Sequence, residues 1–161
     1  MLTLSKFSAV LSWFNLVVAG IFVFCCLLFG LRLLGLANAL IPAVLLGSIV
    51  LHSYAALQLR KSIVNPSVPL SSQTPAGIRF VGYVVLFLAV LYGASGLAMF
   101  QHTQEIMKQM QVQMPPEYKN VDLTGSLRGG SVFLMLFSLS ILINVLLNFR
   151  LLRWYYFSKA E

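Results

Sequence analysis

Residues 9–30 read AVLSWFNLVVAGIFVFCCLLFG, a run with no charged side chain. As a helix rising 1.5 Å per residue, such a run is about 33 Å long, enough for a hydrocarbon core of roughly 30 Å. A soluble helix alternates a wet face with a dry one, whereas this run is apolar around most of its circumference. Three further runs, at about 39–59, 78–100 and 131–150, repeat the pattern, with charge confined to their ends. The reading is an all-α integral membrane protein with four transmembrane helices in an antiparallel bundle.

Composition agrees: 59% of the 161 residues are hydrophobic and 9% are charged, against roughly 25% charged in soluble domains. Four spans leave too little chain for a separate soluble unit, so residues 1–161 form a single transmembrane domain. The net charge of +7 lies beside the apolar runs. It forms no basic stripe interleaved with aromatics, so it belongs to membrane flanks and not to nucleic acid. The first run is longer than the roughly 7–15 residues of a signal-peptide core, and is read as a true span. Cys25 and Cys26 are adjacent. On a helix their side chains diverge by about 100°, so they are apolar fillers and not a disulfide.

The connections carry ordinary punctuation. Between the first two spans, Gly30 and Gly35 permit a turn, Asn38 caps the second helix, and Pro42 sits in or near its first turn. Residues 62–73 contain Pro66 and Pro69 and read as an extended linker, and Thr74-Pro75 starts the third helix. Residues 101–130 form an outer loop segment. Its first part continues the third helix as an amphipathic extension, with Ile106, Met107, Met110 and Met114 at helical spacing. Pro115-Pro116 ends it, and residues 117–130 are a glycine-bearing loop.

Seven basic residues fall on one side of this scheme, among them Lys6, Arg60, Lys61, Arg79, Arg150 and Arg153. Four fall on the other: Arg32, Lys108, Lys119 and Arg128. The excess places both termini in the cytoplasm. Trp154, Tyr155 and Tyr156 directly follow the fourth span and read as an interfacial aromatic belt.

Polar residues within the spans are the candidate site. Ser140, Asn144 and Asn148 recur at i, i+4 and i+8, a single stripe on the fourth helix. Ser48 and His52 make a similar pair on the second, Ser12 and Asn15 lie in the first, and Tyr83 lies in the third. Unpaired polar groups are costly in hydrocarbon, so the cluster Asn15, Ser48, His52, Tyr83, Ser140, Asn144 and Asn148 should face itself or water. Interhelical packing is the plain reading, and a small ligand or proton cavity is the sharper one. His102 lies near the opposite face from His52, which disfavours a bis-histidine haem within one copy.

On the outer extension, Met99, His102, Met107, Met110 and Met114 could hold Cu(I). An adaptable apolar face resting on the membrane or a partner, with a partner subunit favoured, explains them with fewer assumptions. No cofactor or metal is expected. Ala89 with Gly93, Ala94 with Ala98, and Gly125 with Gly129 have the four-residue spacing that lets helices approach, and permit a homo-oligomer without requiring one. The chain holds no P-loop, GxGxxG, HExxH, CxxC or GxSxG motif. It has four acidic residues, none within a span, which leaves little for acid–base catalysis. The expectation is a non-enzymatic accessory or structural subunit of a larger membrane complex, with the bilayer and other membrane subunits as partners. The alternative is a small transporter, channel or ligand-binding protein that uses the polar cluster.

Overall fold

The computed structural model describes residues 2–30, 32, 36–65, 67–113 and 122–160. Among them it is helical, with no strand. Helix α1 spans Leu2–Cys25 and passes into a π-helical turn at Cys26–Gly30. Helix α2 spans Leu36–Val64, α3 Gln73–Gln101, α4 Thr103–Gln113 and α5 Thr124–Ala160. Four stretches are long and apolar enough to cross a membrane: Thr3–Gly30, Ala39–Val64, Gln73–Gln101 and Thr124–Phe157. Large apolar side chains stand exposed along them, including Val10, Ile41, Phe87 and Leu136. Water would penalise such a surface by about 25 cal/mol per Å², whereas lipid tails accept it. This is the pattern of a multi-pass membrane protein.

The helices overrun the apolar runs that announce them. α2 continues through Ser62, Ile63 and Val64, so the linker is shorter than its prolines imply. α2 also begins at Leu36, which puts Asn38 inside its first turn and Pro42 well inside the helix. There the proline ring leaves one carbonyl of the preceding turn without its usual N–H partner. α3 begins at Gln73, with the Thr74 amide donating to the Ser71 carbonyl at 3.1 Å, two residues earlier than a Thr74 cap requires. The largest difference is at α5. Residues 124–130, expected as loop, are helical despite Gly125, Gly129 and Gly130. The Thr124 amide donates to Asp122 Oδ1 at 2.9 Å, so Asp122 caps the helix there and offsets the low propensity of glycine. Gly35, Pro66, Met114, Pro115, Pro116 and Lys119 lie outside the described residues.

The chain divides into two compact units. One comprises Met1–Leu88 with Ser140–Glu161, the other Ala89–Leu139. In the first, α1 packs along α2, and the π turn touches both. Gly30 is buried there, and a Cβ on it would come within 2.9 Å of the Ala39 Cβ. Its role here is therefore close approach to α2. At the other end of this unit, Leu59, Ile78, Leu151, Leu152 and Tyr155 form a buried apolar cluster, flanked by Leu4 and Ile63. The starts of α1 and α3 thus meet the ends of α2 and α5. Tyr155 is only 7% exposed, so it packs into this cluster and not into an interfacial belt.

In the second unit, α3 and α5 come close at small residues. A Cβ on Gly93 would lie 2.8 Å from Ser138 Oγ, and one on Gly96 would lie 3.0 Å from the Ser131 carbonyl and 3.2 Å from the Met135 amide nitrogen. Ser138 Oγ donates to the Ala89 carbonyl at 2.6 Å. Of the small-residue pairs read from the sequence, Ala89 and Gly93 mark this contact. Gly125 and Gly129 meet nothing within 4 Å among the described residues.

Candidate functional site

Three side-chain bridges join α1 to α5 within the first unit. Ser8 Oγ donates to Asn148 Oδ1 at 2.8 Å, Ser12 Oγ donates to Asn144 Oδ1 at 3.0 Å, and Ser140 Oγ donates to Asn15 Oδ1 at 2.9 Å. Residue numbers rise along α1 as they fall along α5, so these two helices run in opposite directions at this contact. Asn148 Nδ2 closes the set by donating to the Asn144 carbonyl at 2.8 Å and to Asn144 Oδ1 at 3.0 Å. Ser8, Ser12, Asn15, Asn144 and Asn148 are all buried. The geometry follows from helical period: Ser8, Ser12 and Asn15 recur at i, i+4 and i+7, and their partners at i, i+4 and i+8.

The structure therefore brings together Asn15, Ser140, Asn144 and Asn148 from the sequence-derived cluster, with Ser12. It adds Ser8, which stands near the polar end of the first span, where a serine attracts no notice. The spacing of Ser8 from Ser12 was the available signal.

Ser48 and Tyr83 do not join them. Ser48 Oγ donates to the Leu45 carbonyl of its own helix at 2.6 Å, the usual way a helical serine satisfies itself. Tyr83 is 65% exposed, and its ring lies 5.3 Å from that of Phe149. His52 is buried but separate from the ladder. It approaches α3 at Gly82, where a Cβ would sit 3.2 Å from His52 Cε1 and 2.6 Å from the Phe149 ring. Three helices close on that glycine. Among the described residues, neither ring nitrogen of His52 has a hydrogen-bond partner, nor do the hydroxyls of Ser5 and Ser53.

On α4, Met107 is buried by its own chain, Ile106 and Met110 are half-buried, and Val112 is 81% exposed. The methionine face is thus only partly exposed. The backbone passes from α3 to α4 through His102, whose amide donates to the Ala98 carbonyl at 2.9 Å and whose carbonyl accepts from Ile106 at 3.0 Å. His102 Nδ1 sits 3.0 Å from Glu105 Oε2 in an exposed pair. Among the described residues, no three His, Cys, Asp or Glu side chains are grouped to hold a metal ion. Cys25 and Cys26 are free thiols, each half-buried.

The chain matches no family model, and neither curated proteins nor solved structures yield a similar one. The functional reading therefore rests on the side chains alone. Chemically, the ladder of serines and asparagines can hold helices in register. It offers no nucleophile beside a base and no carboxylate.

Proposed function

We propose that this chain is a non-enzymatic integral membrane protein that serves as an accessory or structural subunit of a larger membrane complex. Its four spans form an antiparallel bundle, both termini are cytoplasmic, and α4 extends beyond the membrane as a contact surface. One observation carries the reading: buried serine and asparagine side chains along the spans bond one another between α1 and α5. Each such bond in a membrane protein is worth about 0.6 kcal/mol, so three supply about 2 kcal/mol of helix registration. Polar groups engaged in this way define a unique packing, which suits a rigid subunit. The exposed apolar sides of the spans and of α4, Val112 above all, are then available to lipid and to neighbouring subunits.

Purification of the full chain from its native membrane in mild detergent, with identification of the co-purifying chains, tests the proposal. A reproducible stoichiometric partner is expected. Isolation of the chain alone, with transport activity in proteoliposomes, would overturn it. Topology has its own test in a background lacking Cys25 and Cys26: cysteines placed at Ser71 and Gln113 should label from opposite sides, and labelling from one side contradicts the arrangement.

The second reading, a small transporter, channel or ligand-binding protein, is favoured by one observation: His52 is buried, and among the described residues neither of its nitrogens has a hydrogen-bond partner. A buried imidazole without a partner costs about 1–3 kcal/mol, which a bound molecule or water could relieve.

A further inference from the structure

The start of α3 and the end of α5 form a cleft of about 440 Å³ lined by Arg79, Tyr83, Phe149, Arg153, Tyr156 and Phe157. Two cations face it from two different helices. Arg79 lies over the Tyr156 ring, 5.9 Å from its centroid, and Arg153 lies over the Phe157 ring at 5.6 Å. Stacking on an aromatic face fixes a guanidinium plane while leaving its N–H donors free at the edge. Neither arginine has a carboxylate partner among the described residues. The phenol hydroxyls of Tyr83 and Tyr156 make no hydrogen bond among the described residues, and both tyrosines are exposed. Four unengaged donor groups therefore line one cleft, a set that calls for an anion with several acceptor oxygens.

The cleft also has a direction. On α3, Arg79, Tyr83 and Phe87 follow at i, i+4 and i+8, and on α5, Arg153, Phe149 and Leu146 follow in reverse at i, i−4 and i−7. Tyr83 meets Phe149, one turn further into the spans than the arginines. Phe87 is 64% and Leu146 51% exposed. Each stripe thus passes from a cation, through an aromatic ring, to exposed aliphatic and aromatic surface. A phospholipid has the same order of chemistry: a phosphate, a glycerol backbone, then acyl chains.

We propose that this cleft is a binding site for an anionic phospholipid, whose phosphate lies between Arg79 and Arg153, accepts hydrogen bonds from Tyr83 and Tyr156, and sends its chains along Phe149 and Phe87. Arginine suits this role because its planar fork donates two parallel bonds to phosphate oxygens. The basic pair Arg60 and Lys61 differs. It lines a cleft with Trp13, Leu57, Val64 and Asn65, but both cations come from adjacent positions of one helix, whose side chains diverge.

The test uses the full chain in detergent with two lipids of equal chain length, phosphatidylglycerol and phosphatidylcholine, and native mass spectrometry as readout. The wild type should retain phosphatidylglycerol preferentially. Each of R79Q and R153Q should lower that preference about fivefold, and the double variant about twenty-five-fold, from the usual interaction of a basic residue with anionic lipid. Both arginines are exposed, so the variants keep the fold. R60Q/K61Q should leave the preference unchanged. Equal retention of the two lipids by the wild type overturns the proposal, as does an R60Q/K61Q loss equal to that of R79Q/R153Q. Inorganic phosphate supplies the last arm: if it binds the delipidated protein as tightly as phosphatidylglycerol, the occupant is a soluble anion and the lipid assignment falls.

Discussion

The two units hold their helices together by different chemistry. In the first, α1 and α5 are joined by a ladder of serine and asparagine side chains, three bridges at 2.8, 3.0 and 2.9 Å. In the second, α3 and α5 meet through missing side chains. Gly93 and Gly96 leave room for Ser138, Met135 and the backbone near Ser131, and one hydroxyl reaches a main-chain carbonyl. Lipid tails are as apolar as leucine, so no hydrophobic force drives either contact. One works by bonds that hydrocarbon cannot replace, the other by close backbone approach and dispersion. The ladder fixes register, because its bonds are lost when the helices slide. The glycine contact fixes distance and tolerates no added atoms.

The largest expected effect comes from filling the glycine contact. In Gly96→Leu the new Cβ would press on the Ser131 carbonyl and the Met135 amide, backbone atoms that cannot rotate away. The expected loss is about 3 kcal/mol, read by reversible unfolding in bicelles. A wild-type unfolding curve would show that distance is not what this contact sets. Next comes Asn144→Leu, which removes an acceptor shared by Ser12 and Asn148. About 2 kcal/mol is expected, by the same measurement, from the orphaned Ser12 hydroxyl and the loss of one of the two acceptors of Asn148 Nδ2. A smaller loss would mean that water or lipid headgroups reach the ladder. Ser138→Ala removes only the bond to the Ala89 carbonyl and should cost about 0.6 kcal/mol. If it costs as much as Asn144→Leu, the contrast between the two contacts collapses.

The smallest effect concerns the cap of α5. Hydrogen bonds from the Thr124 side chain and backbone hold the Asp122 carboxyl below its usual range. Its contribution to the first turn of α5 is therefore present above the ordinary aspartate pKa and is lost as pH falls through the lowered folded value. Amide exchange at Thr124–Leu127 should quicken in that acid window, and Asp122→Ala should quicken it at neutral pH. Exchange that does not respond to either change would remove Asp122 as the cap.

The four spans were legible in the sequence because a run such as residues 9–30 is uncharged and apolar around most of its circumference over a bilayer's thickness. Their ends were not. At Ser62 to Val64 and at residues 124–130, helix persists through polar or glycine-bearing sequence, sustained by packing or by the Asp122 cap and not by apolar period. The α5 stripe of Ser140, Asn144 and Asn148 was legible from spacing, and so was the demand that it meet protein. Which helix it meets was not, because polarity states a need without naming the partner. Tyr83 shows the opposite limit. Its hydroxyl suggested the interior, yet its ring lies beside Phe149 on an exposed side, because a phenol reaches its polar tip outward from an apolar position. Met107 turned inward on a helix whose methionine face suggested a partner, since a flexible thioether fills whatever gap lies nearest.

The buried polar ladder joins α1 to α5 through side-chain hydrogen bonds. A double-mutant cycle between Ser12→Ala and Asn144→Leu, read by reversible unfolding of the full chain in bicelles, tests it most directly. The bond from Ser12 to Asn144 predicts a coupling energy of about 0.6 kcal/mol, with the double variant less destabilised than the two single losses combined. Single losses that simply add, with no coupling, would contradict the account.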